Sequence, residues 1–89
     1  MKIIYRIHAV MRMFERSISA EDLRFVLENN KTIENYEDSL YPAHLLLGRP
    51  NRRPLHVVVA DNAADDEAIV VTAYEPDARY WQQGFRQRR

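Results

Sequence analysis

His8, Arg12 and Arg16 stand four residues apart, a spacing that in a helix lines them along one face with Glu15 near its edge. An imidazole that titrates near neutrality beside two guanidinium groups can move a proton while the cations hold an anion such as phosphate. The same residues also make an ordinary solvated face, with Glu15 paired to Arg12 or Arg16. His56 and Tyr74 fall in β-rich stretches, where each points either to the core or to the open face of a sheet, and alternation does not choose between the two. The segment 48–54, Gly-Arg-Pro-Asn-Arg-Arg-Pro, offers Arg49, Arg52 and Arg53 to a phosphate, and Arg86 stands in a basic tail. Arginines in exposed turns also serve solubility alone.

Other chemistries find less support. His8, His44 and His56 match no metal-ligand spacing, and the chain has neither a cysteine nor an HExxH motif. Its two glycines, Gly48 and Gly84, form no phosphate cradle, so no metal and no cofactor is expected. Ser17, Ser19 and Ser39 read as turn or cap residues rather than nucleophiles. Trp81 reads as a packing anchor before a base-stacking platform.

The elements that must position these groups follow from the apolar pattern. Ile7, Val10, Met11 and Phe14 recur at steps of three and four, which predicts a helix over 6–16 with that stripe buried and Ile18 extending it. Ser19 ahead of Ala20-Glu21-Asp22 predicts the capped start of a second helix, buried through Leu23, Val26 and Leu27 and ended by Asn29-Asn30 in the left-handed conformation. The period then changes to alternation, predicting strands over 32–38, 43–47, 55–60 and 68–74. The last two should form a hairpin across Asp61 to Asp66. Pro76 to Phe85 is compatible with a short C-terminal helix or an ordered coil, and residues 86–89 with a frayed tail. The expected fold is α+β: two N-terminal helices packed on a curved antiparallel sheet of about four strands, one domain over 1–89.

Composition bounds the setting. The 89 residues carry thirteen basic and thirteen acidic side chains, and a zero formal charge argues against a nucleic-acid binder. The distribution is less even than the sum. Residues 49–54 and 78–89 carry arginines and no acid, whereas 55–77 holds Asp61, Asp65, Asp66, Glu67, Glu75 and Asp77 and no base. This predicts a molecule with separated signs. The absence of cysteine fits a reducing cytoplasm. No apolar run is long enough for a signal-peptide core or a membrane span, so neither export nor a membrane partner is expected.

Three segments together carry a family likeness. His8-Ala9-x-x-Arg12-Met13-x-x-Arg16-x-Ile18-Ser19, Leu55-His56-Val57-Val58 and Val71-Thr72-Ala73-Tyr74-Glu75-Pro76-Asp77-x-x-x-Trp81 resemble the domain-of-unknown-function family 4258. The chain departs from that pattern at Ser17 and near Asn30-Lys31, turn positions where glycine is usual. The family is similar in outline to the RelE-like and BrnT-like ribonuclease toxins, which place two helices before a curved antiparallel sheet and cut RNA without metal. That likeness implies a metal-independent endoribonuclease of a toxin-antitoxin system, with RNA as substrate and an antitoxin protein as partner. It assigns His8 as base or acid, Arg12 and Arg16 as phosphate stabilisers, and Tyr74 or His56 as the second proton carrier. A non-catalytic module that docks on a protein or nucleic acid through the sheet face and the basic tail, and a homodimer with a structural role, are the competing expectations.

Overall fold

The computed structural model describes residues 1–37 and 41–89. Seven elements follow in order: β1 (Lys2–Tyr5), α1 (Ile7–Glu15), α2 (Ala20–Glu28), β2 (Lys31–Tyr36), β3 (Ala43–Gly48), β4 (Leu55–Asn62) and β5 (Glu67–Tyr74). Single 3-10 turns lie at Pro50–Arg52 and Ala63–Asp65. The five strands form one sheet in the order β1-β5-β4-β3-β2, antiparallel except for β1 against β5. The expected α+β class and the β4–β5 hairpin are both present.

The sheet is mixed and has five strands among the described residues, not four antiparallel ones. The extra strand, β1, is four residues long and reaches β5 by way of both helices and three other strands. No local pattern announces so distant a parallel pairing. The expected strand over 32–38 is β2, whose described extent is Lys31–Tyr36. Asp38 and Ser39, to which strand and turn roles were assigned from sequence, lie outside the described residues.

Both helices sit on one face of the sheet. Ala9 and Met13 of α1, with Ile18 after it, meet Leu23 and Val26 of α2 and the inward residues Leu55, Val57, Val59, Val70 and Ala73 in a single apolar core. α2 begins as the Ser-x-x-acid pattern requires: the Ser19 hydroxyl accepts from the Asp22 amide at 3.0 Å, and the Asp22 carboxylate accepts from the Ser19 amide at 3.3 Å. Its end differs from expectation. Asn29 has φ −136°, not a left-handed value. The side-chain amides of Asn29 and Asn30 instead donate to the Phe25, Val26 and Leu27 carbonyls, satisfying the orphan acceptors directly. Gly48 closes the contact between β3 and α2, because a Cβ there would stand 2.8 Å from Val26 Cγ2 and 3.0 Å from the Asn29 carbonyl.

The α1 stripe is a correction. Ile7, Val10, Met11 and Phe14 are exposed, at 72, 51, 52 and 87%, and the buried positions are Ala9 and Met13. The small Ala9 lets the helix backbone approach the sheet, so the helical period holds but the buried face is turned by roughly 130°, more than a third of a turn, from the expected one. The turn after α1 is a Schellman motif: Ile18 N–H donates to the Met13 carbonyl and Ser17 N–H to the Phe14 carbonyl, with Ser17 left-handed at φ 55°. Here a serine does what glycine does at lower steric cost.

The C-terminal segment forms no helix over 76–85. One turn closes on Asp77, whose carbonyl accepts from the Tyr80 and Trp81 amides, and Gly84 and Phe85 then reverse the chain at φ 89° and 61°. The last residues are not frayed: Trp81 bridges Arg88, and the Arg89 amide donates to the Tyr80 carbonyl. This segment lies against the sheet face opposite the helices, where His56 and Tyr74 point.

Candidate nucleic-acid interface

Strand register sets four residues in one row across the sheet: Lys31 opposite Leu47, Leu47 opposite His56, and His56 opposite Tyr74. The row lies at the end of the sheet where β3 and β5 stop and β2 and β4 begin. Two hollows open there.

The first, of about 490 Å³, is lined by Arg16, Arg53, Tyr74, Glu75, Asp77, Tyr80 and Trp81. Arg16 reaches it from the end of α1, held by Nη1 donating to the Ala73 carbonyl at 2.8 Å. Arg53 is a clamp: it donates to the Ser17 and Arg16 carbonyls at 2.8 and 2.7 Å and to the Glu75 carboxylate at 3.1 Å. Both carboxylates of this hollow are therefore paired, Glu75 with Arg53 and Asp77 with Arg79. The Arg79 bonds hold the Asp77 carboxyl below its usual range. Arg16 is the lining cation without a carboxylate partner among the described residues.

Behind Tyr74 stands His56, with no solvent exposure. Its Nε2 lies 2.9 Å from the Phe85 carbonyl, which can only accept, so Nε2 carries the proton and Nδ1 is bare. Nδ1 then accepts from the Tyr74 hydroxyl at 3.3 Å, a long bond that leaves the hydroxyl free to turn toward a ligand. Trp81 packs edge-on against the imidazole at 4.5 Å between centroids. Burial pushes the His56 pKa down and that of Tyr74 up. On the far side of Trp81, Arg88 lies 4.6 Å over the indole and donates to Glu34 at 2.7 Å; Tyr36 donates to the same carboxylate at 2.8 Å. The Arg88 bond holds the Glu34 carboxyl down.

The second hollow, of about 380 Å³, is lined by Asn29, Asn30, Lys31, Leu47, Gly48, Arg49 and Arg86, three cations and no carboxylate. Arg49 donates to the Gly84 carbonyl at 3.2 Å and lies 5.9 Å from the Phe85 ring centre. The two arginine-bearing segments, 49–54 and 78–89, thus meet at one end of the sheet. The acidic hairpin loop with Asp61, Asp65, Asp66 and Glu67 stands at the other end, where β4 stops and β5 begins.

Of the residues singled out from sequence, Arg16, Arg53, Tyr74 and the His56 behind it gather at the first hollow, and Arg49 and Arg86 at the second. His8 and Arg12 do not join them. Arg12 pairs with Glu15 on the surface at 3.2 Å, and exposed His8 precedes Arg16 by two turns, a rise of about 12 Å. The proton-transfer role assigned to His8 beside Tyr74 therefore has no geometric basis. Arg52 sits on the Pro50–Arg52 turn at φ 68°, outside the lining of both hollows. Lys31 was missed, because its place beside Arg49 depends on the β2–β3 register and not on any motif. The Glu34–Arg88 pair was missed for the same reason, joining residues 54 positions apart.

One family's sequence pattern, described as Domain of unknown function (DUF4258), matches residues 5–75. The chain belongs to this family. Its matched span runs from the end of β1 to the residue after β5, so it contains both helices and His56, Tyr74, Arg16, Arg49 and Arg53, and excludes Arg86 and Arg88. No curated protein and no solved structure matches the chain.

Proposed function

We propose that this member of DUF4258 is a toxin-like, metal-independent endoribonuclease that works at the basic end of its sheet. The observation that carries the reading is the line from Arg16 through Tyr74 to His56, in which a guanidinium faces the open hollow and a buried imidazole is fixed in the tautomer that accepts the tyrosine proton. Arg16 holds the scissile phosphate and stabilises the phosphorane. The RNA 2′-hydroxyl gives its proton to Tyr74 Oη as the Tyr74 proton moves to His56 Nδ1. The 2′-oxygen attacks phosphorus, the bond to the 5′-oxygen breaks, and a 2′,3′-cyclic phosphate forms. Water in the open hollow protonates the leaving oxygen, and the hydroxide so formed takes back the His56 proton through Tyr74. The second hollow, three strand spacings or about 14 Å across the sheet, holds the RNA backbone with Lys31, Arg49 and Arg86.

The test is purified protein incubated with RNA in EDTA. Cleavage to cyclic-phosphate ends that Tyr74→Phe and Arg16→Ala abolish, and that His8→Ala leaves intact, supports the reading. No cleavage of free or ribosome-bound RNA sinks it. The second reading, a non-catalytic docking module with an antitoxin or another partner, is favoured by the exposed apolar side of α1. On that reading substitutions in α1 abolish function and those in the hollows do not.

A further inference from the structure

The sheet has two edges, and they are built differently. β2 carries a register shift between Thr32 and Glu34 and the charged side chains of Lys31 and Glu34, features that discourage further pairing. β1 has no such shift, and its one charged residue is Lys2 at its start; Ile3-Ile4-Tyr5 is an uninterrupted apolar run at the other edge. The Lys2 amide donates to the Asp66 carbonyl and the Arg6 amide to the Val70 carbonyl on β5. By strand alternation Ile4 also faces β5, which turns the main-chain N–H and C=O groups of Ile3 and Tyr5 outward. Directly beside this edge lies the exposed side of α1, with Ile7, Val10, Met11 and Phe14 on it, uninterrupted by charge. An apolar hollow of about 300 Å³ between Tyr5, Val10, Met13, Phe14 and Ile18 joins the two.

We infer that a second copy of this chain covers this surface, pairing β1 antiparallel with β1 about a two-fold axis to make one continuous sheet. Such an axis sets the surface against itself, and this surface is self-matching: open main-chain groups meet open main-chain groups, and the apolar side of α1 meets its own image. Charge selects the register. Centring the axis on Ile4 would place Lys2 opposite Arg6, like charges in a direct cross-strand pair. Centring it on Ile3 places Lys2 opposite Ile4 and Tyr5 opposite Met1, with no like charges opposed. In that register the Ile3 residues of the two copies exchange both N–H···O bonds, and each Tyr5 N–H donates to a Met1 carbonyl. The basic end of each sheet stays uncovered, so the assignment is independent of whether the hollows cut RNA.

The test uses the full chain. Light-scattering mass measured from low micromolar to submillimolar concentration should rise to twice the chain mass. Phe14→Glu and Ile7→Glu, both at exposed positions that leave the fold intact by circular dichroism, should each weaken association at least about tenfold. The chain has no cysteine. Oxidised Ile3→Cys should therefore form a disulfide-linked dimer, whereas Thr32→Cys on the opposite edge should not. A wild type that stays monomeric, a dimer indifferent to both glutamates, or cross-linking through Thr32→Cys but not Ile3→Cys overturns the inference.

Discussion

The two ends of this sheet are made of the same strands and carry opposite chemistry. At one end Arg16, Arg53, Arg49, Arg86 and Lys31 gather around two hollows; at the other Asp65 and Asp66 occupy the β4–β5 turn, with Asp61 and Glu67 on the adjoining strand ends. Histidines mark the contrast. His44, nearer the acidic end, has both ring nitrogens bound, to Asn35 at 2.6 Å and Asp61 at 2.7 Å, and serves as a brace. His56 at the basic end is sealed, with one nitrogen fixed by a carbonyl and the other offered to a half-buried tyrosine. A neutral total thus conceals a separation of charge along the strands.

The largest test of that contrast is Tyr74→Phe at the basic end against Asp65→Asn at the acidic end. RNA cleavage in EDTA should fall by about 100-fold or more in the first and stay within about twofold in the second. Next is affinity. Arg49→Ala with Arg86→Ala should weaken binding of single-stranded RNA by about tenfold or more and flatten the plot of log affinity against log salt by about 1.4, near 0.7 for each lost phosphate contact. Salt titration by fluorescence anisotropy reads both numbers.

Smaller effects probe how each end is built. Gly48→Ala should cost about 1 to 3 kcal/mol in urea unfolding, because its Cβ meets Val26 and the Asn29 carbonyl. His56 makes stability depend on pH. Its folded pKa lies below the ordinary 6.5, so between that lowered value and 6.5 the unfolded chain binds the extra proton. Stability from this group is complete above pH 6.5 and declines as pH falls, by at most about 1.4 kcal/mol per pH unit. His56→Gln should flatten that slope. Both ends also hold a left-handed residue, Ser17 at φ 55° and Asp66 at φ 52°. Ser17→Gly should stabilise by about 0.5 to 1 kcal/mol, and Asp66→Gly by less, since aspartate tolerates that conformation better and Asp66 also pairs with the N-terminal ammonium at 3.5 Å.

What the sequence disclosed were features decided within a few residues. The Ser19 cap, the β4–β5 hairpin and the split of charge between 49–54, 78–89 and 55–77 all follow from near neighbours. What it hid were features decided by distant packing. Ala9 and not the larger Val10 faces the sheet because the small side chain brings α1 close, and hydrophobic size alone pointed the other way. β1 needs β5, and Lys31 needs β3, before either has a role. The proposed site was half legible for the same reason: Tyr74 and Arg16 carried motif signals, but only the sheet register sets His56 beside the tyrosine, and only the packing of the end of α1 on β5 brings Arg16 to them without His8.

Trp81, the chain's single indole, stands edge-on to the His56 ring with the Arg88 guanidinium over its own. Its fluorescence is therefore a built-in optical gauge. Charging the neighbouring imidazole should quench the emission, and lifting the C-terminal segment from the sheet should shift the emission to the red as water reaches the ring. Acid titration and docking of the chain terminus can thus be followed in the unlabelled molecule, each with its own spectral sign.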